Sequence, residues 1–392
     1  MAFVSAIQDA LQEAGLDGWL FYDHHFRDPL AYRVLKFEAP RTPSRRWYYF
    51  IPAKGEPRRL VHRIEPTMLD ALAGEKHVYS SWQTMCDGIR TITQGAKRIA
   101  MQHSDNCEIP YIALVDGGMI DLIRSLGLQI FTSADMVQSF ESVWSAAQLE
   151  THLEAGRRVD ASLAAAFEKI SAALKNNVTV TEHEIQQFIR KQFADKGMFT
   201  DHGPIVAVNA NASNPHYEPT AAANQPIRKG DLVLIDLWAK LDQPGAVYYD
   251  ITWTGYCGPT PPAEILRVFS VVTGARKAAS NFVISRIAKG EPTCGYEVDD
   301  VCRGHIRDAG LADYFVHRTG HSIGEEVHGT GANMDNLESH DTRRLIAGTC
   351  FSIEPGVYLE NFGIRSEVNV YVGEKEAMVT GRQQEELLRL CD

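Results

Sequence analysis

Four carboxylates in the second half of the chain are spaced for chemistry. Asp236 ends the apolar run DLVLID (231–236), and Asp250 lies in VYYDITWTGY (247–256). Both runs read as strands, the second rich in β-branched and aromatic residues. Between them Asp242-Gln243-Pro244-Gly245 reads as a turn. The midpoint of the two aspartates is residue 243, inside that turn. An antiparallel hairpin centred there sets them opposite each other, with Cβ atoms about 4.5–5.5 Å apart. Glu354 in FSIEPGVYL (351–359) and Glu367 in GIRSEVNVYV (363–372) flank Glu360-Asn361 in the same way. A second hairpin therefore faces the two glutamates. Carboxylates paired in an apolar setting repel each other and resist ionisation. A cation between them removes the conflict.

Imidazoles accompany the acids. HRTGHSIGEEVHG (317–329) carries His317, His321 and His328 in a segment whose glycines disfavour helix and allow close backbone approach. VAVNANASNPHYEP places His216 in a polar, turn-rich loop. Four carboxylates and an imidazole suit two divalent first-row ions better than one structural zinc, and the donor set admits manganese, cobalt or zinc. Two ions can activate a shared water and clamp a tetrahedral intermediate. The chain has no HExxH helix motif, no G-x-S-x-G elbow and no Walker A loop.

These residues need a scaffold. With 392 residues and 44% hydrophobic content the chain is long enough for two or three domains and a full core. Ile7, Ala10, Leu11 and Ala14 form a helical stripe ending at Gly15, and no basic segment precedes it, so the N-terminus reads as an amphipathic helix and not a signal peptide. GWLFY, WYYFIP, RRLVH and KRIAM read as strands. Residues 23–46, with Pro29, Pro40, Pro43 and the basic cluster Arg41, Arg45 and Arg46, read as a solvated loop. A boundary falls near residue 140. Ser145 and Gln148 then open a long amphipathic helix with a capping box, and Thr181 with Glu184 opens another. Further helices are predicted over about 263–288 and 296–309. The net charge of −11 disfavours nucleic acid and anionic membranes. Seven cysteines without a CxxC pair suggest free thiols in a reducing compartment, and a cytoplasmic location is expected.

The ordered set Asp236, Asp250, His321, Glu354 and Glu367, with the HxxxH…H stretch, resembles the pita-bread metallopeptidases. That family includes methionine aminopeptidases, aminopeptidase P, prolidases and the metal-free creatinase. The resemblance spans the chain and implies an α+β architecture. Residues 1–140 look like a creatinase-like α/β N-terminal domain, and residues 141–392 like the pita-bread catalytic domain. It implies that the five residues hold two divalent ions (Mn, Co or Zn), bridged by Asp250 and Glu367. Glu354 would also serve as general base on the bridging water, giving the metal-bridging hydroxide that attacks. His216 and His328 resemble the family's catalytic histidines. His317 matches a substrate-side histidine of the proline-specific members, and Arg365 resembles an arginine beside the metal carboxylates, grouped here with the substrate-binding residues. Tyr249, next to Asp250, is a further cleft candidate alongside Tyr248. The N-terminal domain and intact ligands point to an Xaa-Pro dipeptidase, with an aminopeptidase P-like enzyme acting on longer peptides as the alternative. A non-hydrolytic binding protein and a creatinase-like amidinohydrolase are the lesser alternatives. A homodimer is implied by resemblance. Arg343, Arg344 and the arginines of 41–46 are candidates to clamp a substrate carboxylate. The sequence departs from the family's pattern in four places. Fourteen residues separate the aspartates, three more than usual. Trp253 replaces an arginine, Gly329 a glutamate and Val368 an aspartate.

Overall fold

The computed structural model describes residues 2–38 and 42–391. Pro40 and Arg41 lie outside the described residues. The chain divides into two compact units, Met1–Glu141 and Ser142–Asp392.

The first unit is built on a six-stranded mixed sheet. Its strands run in the order Glu75–Tyr79, Arg58–His62, Trp47–Pro52, Gly18–Asp23, Arg98–Met101, Gln129–Thr132. The two central strands are buried along their whole length. They can be so because helices cover both faces. Met85 and Ile89 of Trp82–Ile92 and Met119 and Ile123 of Gly117–Ser125 pack one side. Ile7 and Leu11 of Ala2–Glu13 pack the other, with Leu30 and Val34. The stretch 23–46 is not loop throughout. Pro29–Val34 is a helix, with Asp28 accepting from the Ala31 N–H and Pro29 preset for the first turn. Six residues are too few for a periodic signal.

The second unit holds two hairpins, each backed by a pair of helices. Leu232–Leu241 and Tyr249–Tyr256 form the Asp hairpin, extended by Ile205–Val208. Its odd-numbered side chains, from Val233 to Trp253, pack against Ala146–Lys175 and Glu182–Asp195. Both of those helices begin with the capping boxes read from the sequence. Cys350–Ile353 with Val368–Val372, then Gly356–Tyr358 with Gly363–Arg365, form the Glu hairpin. It packs against the helices Ala263–Ala288 and Gly295–Asp308. The remaining, even-numbered face of the Asp hairpin carries Asp236 and Asp250. Among the described residues no helix is long and apolar enough to cross a membrane.

Candidate metal centre

The two hairpins place their acids by different means. In the Asp hairpin Asp236 pairs with Thr252, and Asp250 pairs with Trp238. The aspartates share a face but sit diagonally, not opposite each other as the midpoint predicts. The connecting loop causes the offset. Asp242 N–H bonds the Gly197 carbonyl, and Tyr248 N–H bonds the Gly324 carbonyl, so pairing resumes only at Tyr249. In the Glu hairpin the ladder has the expected register, with Ile353 opposite Val368 and Gly356 opposite Arg365. Glu354 and Glu367 lie in a gap between the two ladder segments. Their amides leave the hairpin, Glu354 N–H for the Thr319 carbonyl at 2.8 Å and Glu367 N–H for the Thr252 carbonyl at 3.1 Å. The second bond joins the two hairpins.

Asp250, His321 and Glu367 offer ligand atoms that all lie within 4.8 Å of one another. His321 Nε2 is 3.4 Å from Glu354 Oε1 and 3.6 Å from Asp250 Oδ2. Its Nδ1 lies 3.1 Å from the Ser322 carbonyl, which sets the proton on Nδ1 and leaves Nε2 a lone pair for an ion. Burial, then His328 and Arg318, hold the imidazole well below its usual pKa, which keeps it neutral. Burial pushes the Asp250 and Glu367 carboxyls well up, reinforced by the neighbouring acids. Glu354 is pushed up to about 7, by burial first. Asp236 Oδ1, Asp250 Oδ1 and Glu367 Oε1 are buried without a hydrogen-bond partner. Such atoms are costly unless something pairs with them. Divalent cations are the fitting partner: the donors are carboxylate oxygens around one neutral imidazole, and three of the oxygens are vacant.

The surrounding side chains lock the acids in place. Arg365 Nη2 bonds Asp236 Oδ2 at 2.5 Å, Nε bonds Thr252 Oγ1 and Nη1 bonds the Tyr358 hydroxyl. Thr252 Oγ1 in turn donates to Glu367 Oε2 at 2.8 Å. Asn369 brackets the Asp250 backbone with two hydrogen bonds. Arg365 is thus a buried positioning residue, with all three of its nitrogens engaged by protein, and its place among the substrate contacts is corrected. Neither Thr252, Asn369 nor Tyr358 carries a motif signal of its own. Each is found only once the register is known.

Three more expectations change. His317 has both ring nitrogens engaged, Nδ1 2.7 Å from the Arg318 carbonyl and Nε2 2.7 Å from the Tyr358 hydroxyl. It is held neutral, its pKa pushed down to about 3 by burial and Arg365. It buttresses Tyr358 and has no ring nitrogen left for substrate. Tyr249 lies on the odd-numbered face, in the core against the Ala146–Lys175 helix, with its hydroxyl on Asp160. It points away from the acids, and Tyr248 is buried as well. Arg343 is buried, with Nε and Nη2 on Asp341 and Nη1 on the Thr330 carbonyl, so it clamps no substrate.

The two proposed catalytic histidines lie outside the acid cluster. His328 stacks edge-on against His321, ring centroids 4.3 Å apart. It keeps an exposed edge, yet the protein packed around it pushes its pKa down to about 4. His216 is exposed, and a charge on it would depress His328 further. Arg318, between His317 and Thr319, has its charge felt by His321, His328 and Glu354.

Two hairpins presenting carboxylates toward a histidine, each backed by a helix pair, define the pita-bread metallopeptidase fold. Residues 150–374 match the model of metallopeptidase family M24, and the chain belongs to that family. It is 31% identical over 219 residues to a putative Xaa-Pro aminopeptidase of Mycoplasma genitalium, covering 54% of this chain and 56% of that one. It is 33% identical over 215 residues to an Xaa-Pro dipeptidase of Lactobacillus delbrueckii subsp. lactis, covering 55% and 53%. The chain thus spans about half the length of these curated relatives. The crystal structure of dipeptidase PepE from Mycobacterium ulcerans superposes with a TM-score of 0.71 at 24% identity, covering 100% of this chain and 98% of that one.

Proposed function

We propose that the protein is an Xaa-Pro dipeptidase dependent on two divalent ions. Asp236, Asp250, His321, Glu354 and Glu367 would hold them. The observation that carries this reading is the buried group Asp250, His321 and Glu367, whose ligand atoms lie within 4.8 Å of one another, with a partnerless oxygen on each acid and a free nitrogen on the imidazole. Divalent ions bound there supply Lewis-acid polarisation and lower the pKa of water. Manganese, cobalt and zinc all suit these donors.

The protein's own groups do the rest. Glu354 has the most accessible side chain of the four acids, 17% exposed against 11% for Asp236, 6% for Asp250 and a fully buried Glu367. It is placed to take the proton of the attacking water and return it to the proline nitrogen. Neutral His328, at the edge of the cluster, donates to the oxygen on which negative charge develops. His216 assists from the rim. The Xaa-Pro bond is a tertiary amide without an N–H, so the site need present no acceptor for one. Arg318 is the cation we assign to the dipeptide's carboxylate. The names of the sequence relatives, a putative Xaa-Pro aminopeptidase and an Xaa-Pro dipeptidase, support both the aminopeptidase and the dipeptidase reading. We further propose a cytoplasmic homodimer in which the two units are an N-terminal domain and the catalytic domain.

The test is to strip the protein with chelator, restore Mn²⁺, Co²⁺ or Zn²⁺ singly, and compare Ala-Pro with Ala-Pro-Ala. Metal-restored cleavage of Ala-Pro alone is expected. Cleavage of the tripeptide at a comparable rate selects the aminopeptidase reading. No metal-restored cleavage of either overturns both.

A further inference from the structure

One side chain on the acid face is large and has no part in holding ions. Trp238 pairs directly with Asp250 across the Asp hairpin, so its indole shares the face of the acids. The indole Nε1 donates to Asp201 Oδ1 at 2.9 Å. The same oxygen takes the His202 N–H at 3.0 Å and lies 3.0 Å from His202 Nδ1. The His202 ring sits edge-on against the indole at 4.8 Å. The indole and His202 contacts of this carboxyl are thus all at Oδ1. Oδ2 has no side-chain partner among the described residues, on a side chain that is 44% exposed. The cation next along this face does not neutralise it. Lys240 turns its ammonium to the Glu325 carbonyl and the Tyr248 ring.

Moving outward from the acids, the order is Asp250, then the Trp238 indole, then a carboxylate with one free oxygen. We propose that Trp238 and Asp201 form the subsite for the side chain of the first residue, and that they select a cationic one, lysine or arginine. This rests on the Xaa-Pro reading above. The aliphatic stem of such a side chain runs along the indole while its charge reaches Asp201 Oδ2. A leucine side chain gains the indole alone. A glutamate side chain meets a like charge. Asp201 is charged at neutral pH: burial, the largest single influence, raises its pKa, but the Trp238 bond, His202 and the backbone N–H groups of Asp201 and His202 together outweigh it and hold the carboxyl below its usual range. Its charge is felt at Asp250 and at His328, which places it beside the proposed reaction centre.

The experiment compares kcat/KM for Lys-Pro, Leu-Pro and Glu-Pro on the metal-loaded protein at low and high salt. Lys-Pro is expected to exceed Leu-Pro by about tenfold at low salt and to lose part of that lead as salt screens the pair. Asp201→Asn brings the Lys-Pro to Leu-Pro ratio towards one, and Asp201→Lys moves the preference towards Glu-Pro. Equal rates on Lys-Pro and Leu-Pro in the unaltered protein overturn the proposal and leave the dipeptidase reading standing. So does an Asp201→Asn variant that slows all three dipeptides equally, which would assign Asp201 to the α-ammonium or to support of the indole. If no Xaa-Pro dipeptide is cleaved, the dipeptidase reading fails separately. Calorimetric binding of Lys-Pro and Leu-Pro then decides: tighter Lys-Pro binding that disappears in Asp201→Asn supports the subsite, and equal binding overturns it.

Discussion

The Asp hairpin and the Glu hairpin deliver the same chemical group by opposite means. The Asp hairpin is a continuous ladder from Leu232 to Ala239, and strand alternation alone puts Asp236 and Asp250 on one face. The Glu hairpin interrupts its ladder where the acids stand, and bonds to Thr319 and Thr252 fix them from outside. A continuous ladder gives a face, and a broken one gives a position. The proposed centre needs both, because the partnerless oxygens of Asp250 and Glu367 come one from each hairpin.

If the two hairpins build one centre, an isosteric change in either disables both. Asp250→Asn and Glu367→Gln are each expected to lower Xaa-Pro hydrolysis by about 10³-fold or more, measured as proline release at saturating Mn²⁺. A variant that keeps its activity assigns its hairpin a scaffold role alone. The next contrast concerns the joint. Thr252 accepts from Arg365 and donates to Glu367, linking the Asp hairpin to the Glu hairpin. Thr252→Val keeps the strand and removes the link, and a loss of about 10–100-fold in metal affinity or kcat/KM is expected. An unchanged affinity would show that the backbone bond from Glu367 suffices.

A weaker coupling runs through His152, whose ring nitrogens bind the Tyr248 carbonyl in the Asp hairpin's loop and the Thr380 hydroxyl beside the Glu hairpin, each at 2.7 Å. Burial pushes its pKa down to about 4. The unfolded chain takes up this proton near pH 6.5, before the folded one does, so folding is favoured above that pH. Stability falls as the pH drops from 6.5 towards 4, by up to about 3 kcal/mol. Denaturant melts across that range are expected to show the slope in the natural protein and to lose this part of it in His152→Gln.

The smallest effect separates the turns. Gly245 has φ +75° and an open space around its missing Cβ, so Gly245→Ala costs only the left-handed strain, about 1 kcal/mol. Asn361, at the tip of the Glu hairpin, has no positive φ, and Asn361→Ala is expected to change stability by less than about 0.5 kcal/mol in the same melts. Equal costs would mean that the Asp loop can relax out of the left-handed conformation.

The sequence is most readable where local rules decide. The capping boxes at Ser145 and Thr181 form as read, because they need only four neighbouring residues. The Glu register follows from a short symmetric tip. The Asp register does not, because the Gly197 and Gly324 carbonyls distort its loop, and those contacts are distant in sequence. Tyr249 is misplaced for a related reason: adjacency to Asp250 along a strand means the opposite face. The chain His317–Tyr358–Arg365–Asp236 joins residues up to 129 positions apart, and no spacing rule reaches that far. Trp238 is legible only as an apolar strand residue until its pairing with Asp250 is known.

The most direct measurement is the number of metal ions per chain after chelation, reconstitution with Mn²⁺ and removal of free ion, by elemental analysis. Two per chain are expected, falling to one or none in both Asp250→Asn and Glu367→Gln. A natural protein that retains none, or variants that still hold two, would contradict a centre shared by the two hairpins.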